Sequence, residues 1–140
     1  MVKEYSKLPA VECYAGQLNQ VFMNIINNAI DALEDHWYKS VNKGEKNKIV
    51  PTICIRTEVK NGERLVVRIA DNGPGMPPAV KAKLFDPFFT TKPVGKGTGL
   101  GLSISYQIVV EKHGGVLDCI SQLGKGTEFL LEIPIRQGIS

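Results

Sequence analysis

The sequence predicts an α+β two-layer sandwich: a mixed, mostly antiparallel sheet with helices packed on one face. Three observations predict it. Two segments carry apolar residues at helical spacing, two pairs of apolar strands are joined by turn residues, and a Gly/Pro-rich loop separates the halves. The 140 residues fit one domain, 1–140, long enough to bury a core without staples.

The elements follow in order. Residues 1–15 read as a strand or lead-in arm, with Leu8-Pro9-Ala10-Val11 short and Pro-interrupted. Gln17 to about Tyr38 reads as a long helix whose apolar face is Phe22, Ile25, Ile26, Ala29, Ile30 and Leu33. Ser40–Lys48 is a polar loop. Ile53–Val59 and Leu65–Ala70 are strands joined at Asn61-Gly62. Asp71-Asn72-Gly73-Pro74-Gly75 stops the second of them, and Pro77–Phe85 is a short helix. After the loop at 86–99, Leu100–His113 is a second helix closed by Gly114-Gly115. Val116–Ser121 and Glu128–Ile133 form the last hairpin.

Composition excludes several classes. Apolar residues make up 43% and charged residues 22%, an ordinary globular mixture. No apolar run approaches the ~18 residues of a membrane span. Met1–Tyr5 lacks the apolar stretch of a signal peptide, so a cytosolic location is expected. Cys13, Cys54 and Cys119 form no C-x-x-C pair and read as small buried hydrophobes. Net charge is +3, and the denser lysines at Lys43–Lys48 fit a hydrated loop, so no nucleic-acid stripe is expected.

Three patterns carry chemistry. Gln17, Gln20, Asn24, Asn27, Asn28 and Asp31 form a stripe on the first helix, five amides and one carboxylate where a solvated face would carry Lys, Glu and Arg. Asn is a poor helix former, so the stripe costs stability. An amide oxygen is a hard, neutral ligand suited to Mg²⁺. Taken alone, the stripe fits an Asn-rich hydrated surface equally well. Asp71 stands at a strand end, either in a plain turn or facing a pocket, where its carboxylate can accept the N6 amino group of adenine. Gly97-Thr98-Gly99-Leu100-Gly101-Leu102 runs into the second helix like a phosphate cradle, yet matches neither a P-loop nor a dinucleotide fingerprint. Phe85, Phe88 and Phe89 crowd a Gly/Pro-rich loop. They either pack it down or anchor a lid from which Lys92 and Lys96 reach a phosphate.

Together the order and spacing of these pieces resemble the GHKL superfamily, and within it the sensor histidine kinases. Gln20–Ala32 resembles the N box, Asp71–Gly75 the first glycine box, Leu84–Phe89 the F box, Gly97–Gly101 the second glycine box, and Gly124-Lys125-Gly126-Thr127 the third. The resemblance runs from about Leu8 to Pro134 and implies the Bergerat ATP-binding fold with ATP and Mg²⁺ as cofactors. Asn28 matches the magnesium ligand, Asn24 the polar residue beside the phosphates, and Asp71 the adenine-recognising carboxylate. Gly73 and Gly75 match the glycines shaping the adenine pocket, and Thr127 the threonine near the adenine. Phe85, Phe88 and Phe89 match the lid anchors, and Gly97, Gly99 and Gly101 the phosphate-facing glycines; Thr98 and Leu100 within that box and Leu102 just after it are further cofactor-binding candidates.

ATPase branches of the superfamily resemble this chain but carry Glu at position 24 as a general base. An amide cannot fill that role at neutral pH, so Asn24 points to transfer rather than hydrolysis. Many histidine kinases carry Lys or Arg at the position of Asp31, which leaves charge neutralisation to Lys92 or Lys96. The resemblance implies two partners, a histidine-bearing dimerisation domain and a response regulator, with no nucleic acid and no direct membrane contact. His36 and His113 read as structural residues at helix ends. The chain therefore reads as a monomeric catalytic domain separated from its phosphoacceptor helices, binding nucleotide without phosphorylating itself. The alternatives are a GHKL ATPase, a serine-directed anti-sigma-type kinase, and a nucleotide-binding regulatory module without transfer activity.

Overall fold

The computed structural model describes residues 2–5, 15–42, 50–86 and 101–135. Among these, five strands form one sheet in the order β1-β2-β3-β5-β4. They are β1 (Val2–Tyr5), β2 (Ile53–Lys60), β3 (Arg64–Asp71), β4 (Val116–Gln122) and β5 (Gly126–Pro134). Strands β2 to β5 pair antiparallel, and β1 joins β2 in parallel, giving the mixed sheet the sequence predicts. The β2–β3 turn works because Asn61 and Gly62 both take positive φ, 55° and 69°.

Helices cover one face. α1 (Ala15–Asn42) runs past the expected end at Tyr38, since no Gly or Pro lies between Tyr38 and Gly44. Ser40–Asn42 therefore belong to the helix rather than the loop, and residues 43–49 lie outside the described ones. His36 does not close α1; it sits exposed within it. The buried line of α1 is Leu18, Val21, Ile25, Ala29 and Leu33, with Phe22, Ile26 and Ile30 only partly covered. This line lies closer to the amide stripe than the expected apolar face does. The stripe consequently splits: Asn24 and Asn28 are half-buried, while Gln20, Asn27 and Asp31 are exposed.

α2 is short (Pro78–Ala82), with Pro at its first turn and Leu84 buried just beyond it. α3 (Gly101–Tyr106) continues as a π-helical stretch, Gln107–Lys112, where a uniform α-helix was expected. The wider turn is fixed at its end. The His113 amide and its ring Nδ1 both reach the Ile108 carbonyl, at 3.1 and 2.8 Å. His113 is 1% exposed, so it serves the structural role expected of it. Gly114, at φ 64°, then turns the chain out, as the sequence predicts.

The core lies between the helices and the inner face of the sheet, where Ile55, Ile69, Phe129 and Cys119 form one cross-strand row and Val67, Leu131 and Leu117 the next. Burial pushes the Cys119 thiol up to about 12, so it packs as an inert hydrophobe, as expected. Cys54 is only half-buried, and Cys13 lies outside the described residues. On the opposite face Arg68 pairs with Glu58 and Glu128, and Glu132 with Arg64 and Lys60. Such partly solvated pairs contribute ~0–1 kcal/mol each. They put charge on the wet side of β2, β3 and β5, while Val116 and Ile120 of β4 leave apolar side chains exposed on the same face.

The turn after β3 is stitched to the β4–β5 hairpin. Gly124 N–H donates to the Pro74 carbonyl at 2.8 Å. A Cβ on Gly75 would strike the Gln122 carbonyl, and one on Gly126 the Asp71 carbonyl; both glycines have positive φ, 73° and 105°. The absent side chain of Gly75 thus accommodates the protein's own hairpin. Gly62 has positive φ but open space around it. Gly126→Ala is therefore expected to cost at least ~2 kcal/mol, against ~1 kcal/mol for Gly62→Ala, an ordering that urea unfolding of the two variants checks.

Candidate functional site

The inner face does not stay apolar to its end. The row beyond Ile55, Ile69, Phe129 and Cys119 reads Ile53, Asp71, Thr127, Ser121 across four paired strands. Register alone puts these polar side chains on the core side of the sheet. Asp71 Oδ1 accepts the Gly73 N–H at 2.9 Å, and the carboxylate also takes the Thr127 N–H. Burial raises the Asp71 pKa above 3.8, and these two N–H donors pull it back only in part. Ser121 Oγ accepts the Met76 N–H at 2.8 Å and lies 2.9 Å from Thr127 Oγ1. One hydroxyl therefore ties the turn after β3 to both strands of the last hairpin.

Asn72, next to Asp71, has a different task. Its Oδ1 accepts the Thr52 N–H and its Nδ2 donates to the Val50 carbonyl, each at 2.8 Å. It pins the lead-in to β2 against the end of β3.

α1 closes one side of this end row. A Cβ on Gly73 would lie 3.7 Å from Leu33 and 3.8 Å from Ala32. Asn28 stands one turn before Ala32 on the same face of α1, and Asn24 one turn earlier still. Asn24 Nδ2 donates to the Gly101 carbonyl at 3.1 Å and to Ser105 Oγ at 3.2 Å. Ser105 Oγ itself donates to Gly101 O at 2.8 Å. The first turn of α3 is thereby fastened to the middle of α1. Phe85 packs partly into the core and meets Tyr106 of α3 with ring centroids 5.4 Å apart.

The structure brings together Asp71, Gly73 and Thr127 at the sheet end, and Asn24 with Gly101 across the helices. Leu102 packs against the core, and Asp31 is exposed. Phe88, Phe89, Lys92, Lys96, Gly97, Thr98, Gly99 and Leu100 lie outside the described residues. Three participants escaped sequence reasoning: Ser105, Ser121 and Tyr106. Ser105 carries a readable signal, since it falls four residues after Gly101 and so shares its helix face. Ser121 becomes visible only once β4 and β5 are in register.

A half-buried carboxylate at a sheet end, an amide-bearing helix beside it and a glycine-led helix opposite make a site for a polar ligand with an apolar body. The family model of the histidine kinase-, DNA gyrase B- and HSP90-like ATPases matches residues 14–137. The chain belongs to that family, as an ATP-binding catalytic domain of the histidine kinase type. It is 37% identical over 124 residues to the sensor kinase CckA of Brucella abortus, covering 89% of this chain and 13% of that protein. It is 34% identical to the sensor histidine kinase ZraS of Escherichia coli K12, covering 92% of this chain and 24% of that one. The catalytic domain of histidine kinase ThkA superposes with a TM-score of 0.74 at 32% identity, over 96% of this chain and 78% of that one. Full-length ShkA in complex with AMPPNP gives a TM-score of 0.75 at 26% identity, over 99% of this chain and 26% of that one. The chain thus spans about an eighth to a quarter of the two sensor kinases it matches. Among the described residues no helix is long and apolar enough to cross a membrane.

Asp71 generates a stability prediction. Its raised pKa means that the folded state holds the proton more tightly than the unfolded state does. The stability this contributes is present below 3.8 and is lost as pH rises through the folded-state value. Asp71→Asn removes the titration. The melting temperature of the variant minus that of the wild type is expected to grow as pH rises from 3.8 and then level off. Paired thermal melts across that range check it, and a difference that shrinks would contradict it.

Proposed function

We propose that the domain binds Mg·ATP between α1, the polar end row of the sheet and the start of α3. In the intact kinase it presents the γ-phosphate to a histidine on a dimerising helical hairpin. The observation that carries the nucleotide reading is Asp71. Its carboxylate is held by two backbone N–H groups at the edge of an apolar layer. There it can accept the adenine amino group while the ring packs on apolar neighbours. Thr127, linked to the same row, stands beside it.

The residues present fit a magnesium ion brought in with the nucleotide. Asn28 is half-buried one turn from the end row and offers a hard, neutral oxygen. Among the described residues no cluster of three His, Cys, Asp or Glu could hold a metal by itself, which suits an ion that shares phosphate ligands. Bound there, the ion would neutralise phosphate charge. Lys92 or Lys96, and the backbone N–H groups of Gly97–Gly101, are proposed to supply the rest.

Asn24 supports transfer over hydrolysis. Its amide nitrogen is engaged by Gly101 O and Ser105 Oγ, and an amide accepts no proton at neutral pH. Nothing at this position can activate water. Phosphoryl transfer needs mainly positioning and charge neutralisation, which the site provides without a base of its own. The acceptor imidazole attacks phosphorus, the bond to the ADP oxygen breaks, and the phosphohistidine then serves a response regulator. The isolated domain is proposed to be a monomer that binds nucleotide and phosphorylates nothing.

Calorimetric titration of Mg·ATP tests this reading. The wild type is expected to bind, Asp71→Ala to lose binding, and Asn28→Ala to bind with affinity that no longer depends on magnesium. A folded wild-type domain that takes up no nucleotide would overturn the proposal.

A further inference from the structure

Ser105 is 0% exposed, yet it is polar. Alanine would fill a buried helical site of this size with better helix propensity and no hydrogen-bonding demand. The hydroxyl donates to the carbonyl four residues back, Gly101 O at 2.8 Å, which satisfies its own proton. That bond alone would make Ser105 a plain back-bonded serine. Its oxygen does more, accepting a hydrogen bond from Asn24 Nδ2 at 3.2 Å.

The two acceptors fix the Asn24 carboxamide. Gly101 O can only accept, so the amide must turn its nitrogen toward α3. With its nitrogen held by these two acceptors, the carboxamide keeps one orientation, its oxygen beside the start of α3, 3.8 Å from where a Cβ on Gly101 would stand. No donor among the described residues reaches that oxygen. Asn24 stands one helical turn from Asn28, so the oxygen belongs to the same stretch of α1 as the proposed magnesium ligand.

We propose that Ser105 is a positioning residue, whose buried hydroxyl locks the Asn24 carboxamide with its oxygen toward the phosphate and magnesium end of the nucleotide. Asn24 then accepts a hydrogen bond from the hydrated ion without acting as a base. The inference rests on the nucleotide reading above. It adds that a residue of α3, set back from the ligand, sets the affinity for the magnesium complex through α1.

The experiment is a double-mutant cycle on the domain, reading Mg·ATP affinity by calorimetry. Ser105→Ala is expected to weaken binding ~5–10-fold in the wild-type background, the scale of one hydrogen bond. In the Asn24→Ala background the same change is expected to add less than about twofold, because the residue through which Ser105 acts is gone. Equal losses in both backgrounds, or no loss in the wild type, would overturn the proposal. A second readout needs no ligand. In the nucleotide-free domain, the Asn24 side-chain N–H protons are expected to exchange slowly with solvent by NMR, and at least ~10-fold faster in Ser105→Ala with backbone resonances otherwise native. Unchanged exchange would also overturn it. If the wild type binds no Mg·ATP, the nucleotide reading fails and the exchange measurement still decides whether Ser105 orients Asn24.

Discussion

Strand side chains alternate between faces, so the register among β3, β5 and β4 decides whether Asp71, Thr127 and Ser121 share a face at all. A slip of one residue in any of the three would send its polar group to the wet side, among Arg68, Glu128 and Glu132. The apolar rows behind hold the register. Ile69, Phe129 and Cys119 lie opposite one another and are all buried, and a shifted strand would expose its share of them. The core thus fixes the site by packing and places the carboxylate where burial ends. There the desolvation that raises its pKa is partial, and two backbone donors offset some of it.

α1 reconciles two demands along one cylinder. Leu18, Val21, Ile25, Ala29 and Leu33 form the buried line, while Asn24 reaches α3 and Asn28, one turn on, stays half-buried beside that line. Three asparagines in mid-helix weaken intrinsic helicity, by a few tenths of a kcal/mol each relative to better helix formers. The buried line beside them offsets that loss, since each fully buried aliphatic side chain contributes ~1.5–3 kcal/mol. Position along the helix separates the functions: the same turn that buries Ile25 presents Asn24.

Much of this was legible in the sequence, for identifiable reasons. The two helices and two hairpins announce themselves through apolar period and through Asn61-Gly62, both local signals. Asp71, Asn24 and Asn28 stand out because their chemistry is odd for their place. What could not be read depended on pairing or on helix phase. Ser121 gains meaning only opposite Thr127. The exact buried line of α1 depends on how the helix rolls on the sheet, and apolar spacing left that open by including Phe22, Ile26 and Ile30. Gly75 was legible as a glycine turn, but its close neighbour, the Gln122 carbonyl, lies 47 residues away in sequence. The extension of α1 to Asn42 was missed because polar residues do not break a helix; Gly and Pro do.

The π-helical stretch at Gln107–Lys112 has its own consequence for how α3 is built. An α-helix advances about 100° per residue, so one residue accommodated in a wider turn rotates everything after it by roughly that angle. Before the stretch, Gly101 and Ser105 are phased to meet Asn24; after it, His113 is phased to turn its ring inward. A uniform helix would tie these two alignments together. The wide turn acts as a phase shifter, letting one end of the rod be tuned to its partner helix while the other is tuned to the start of β4.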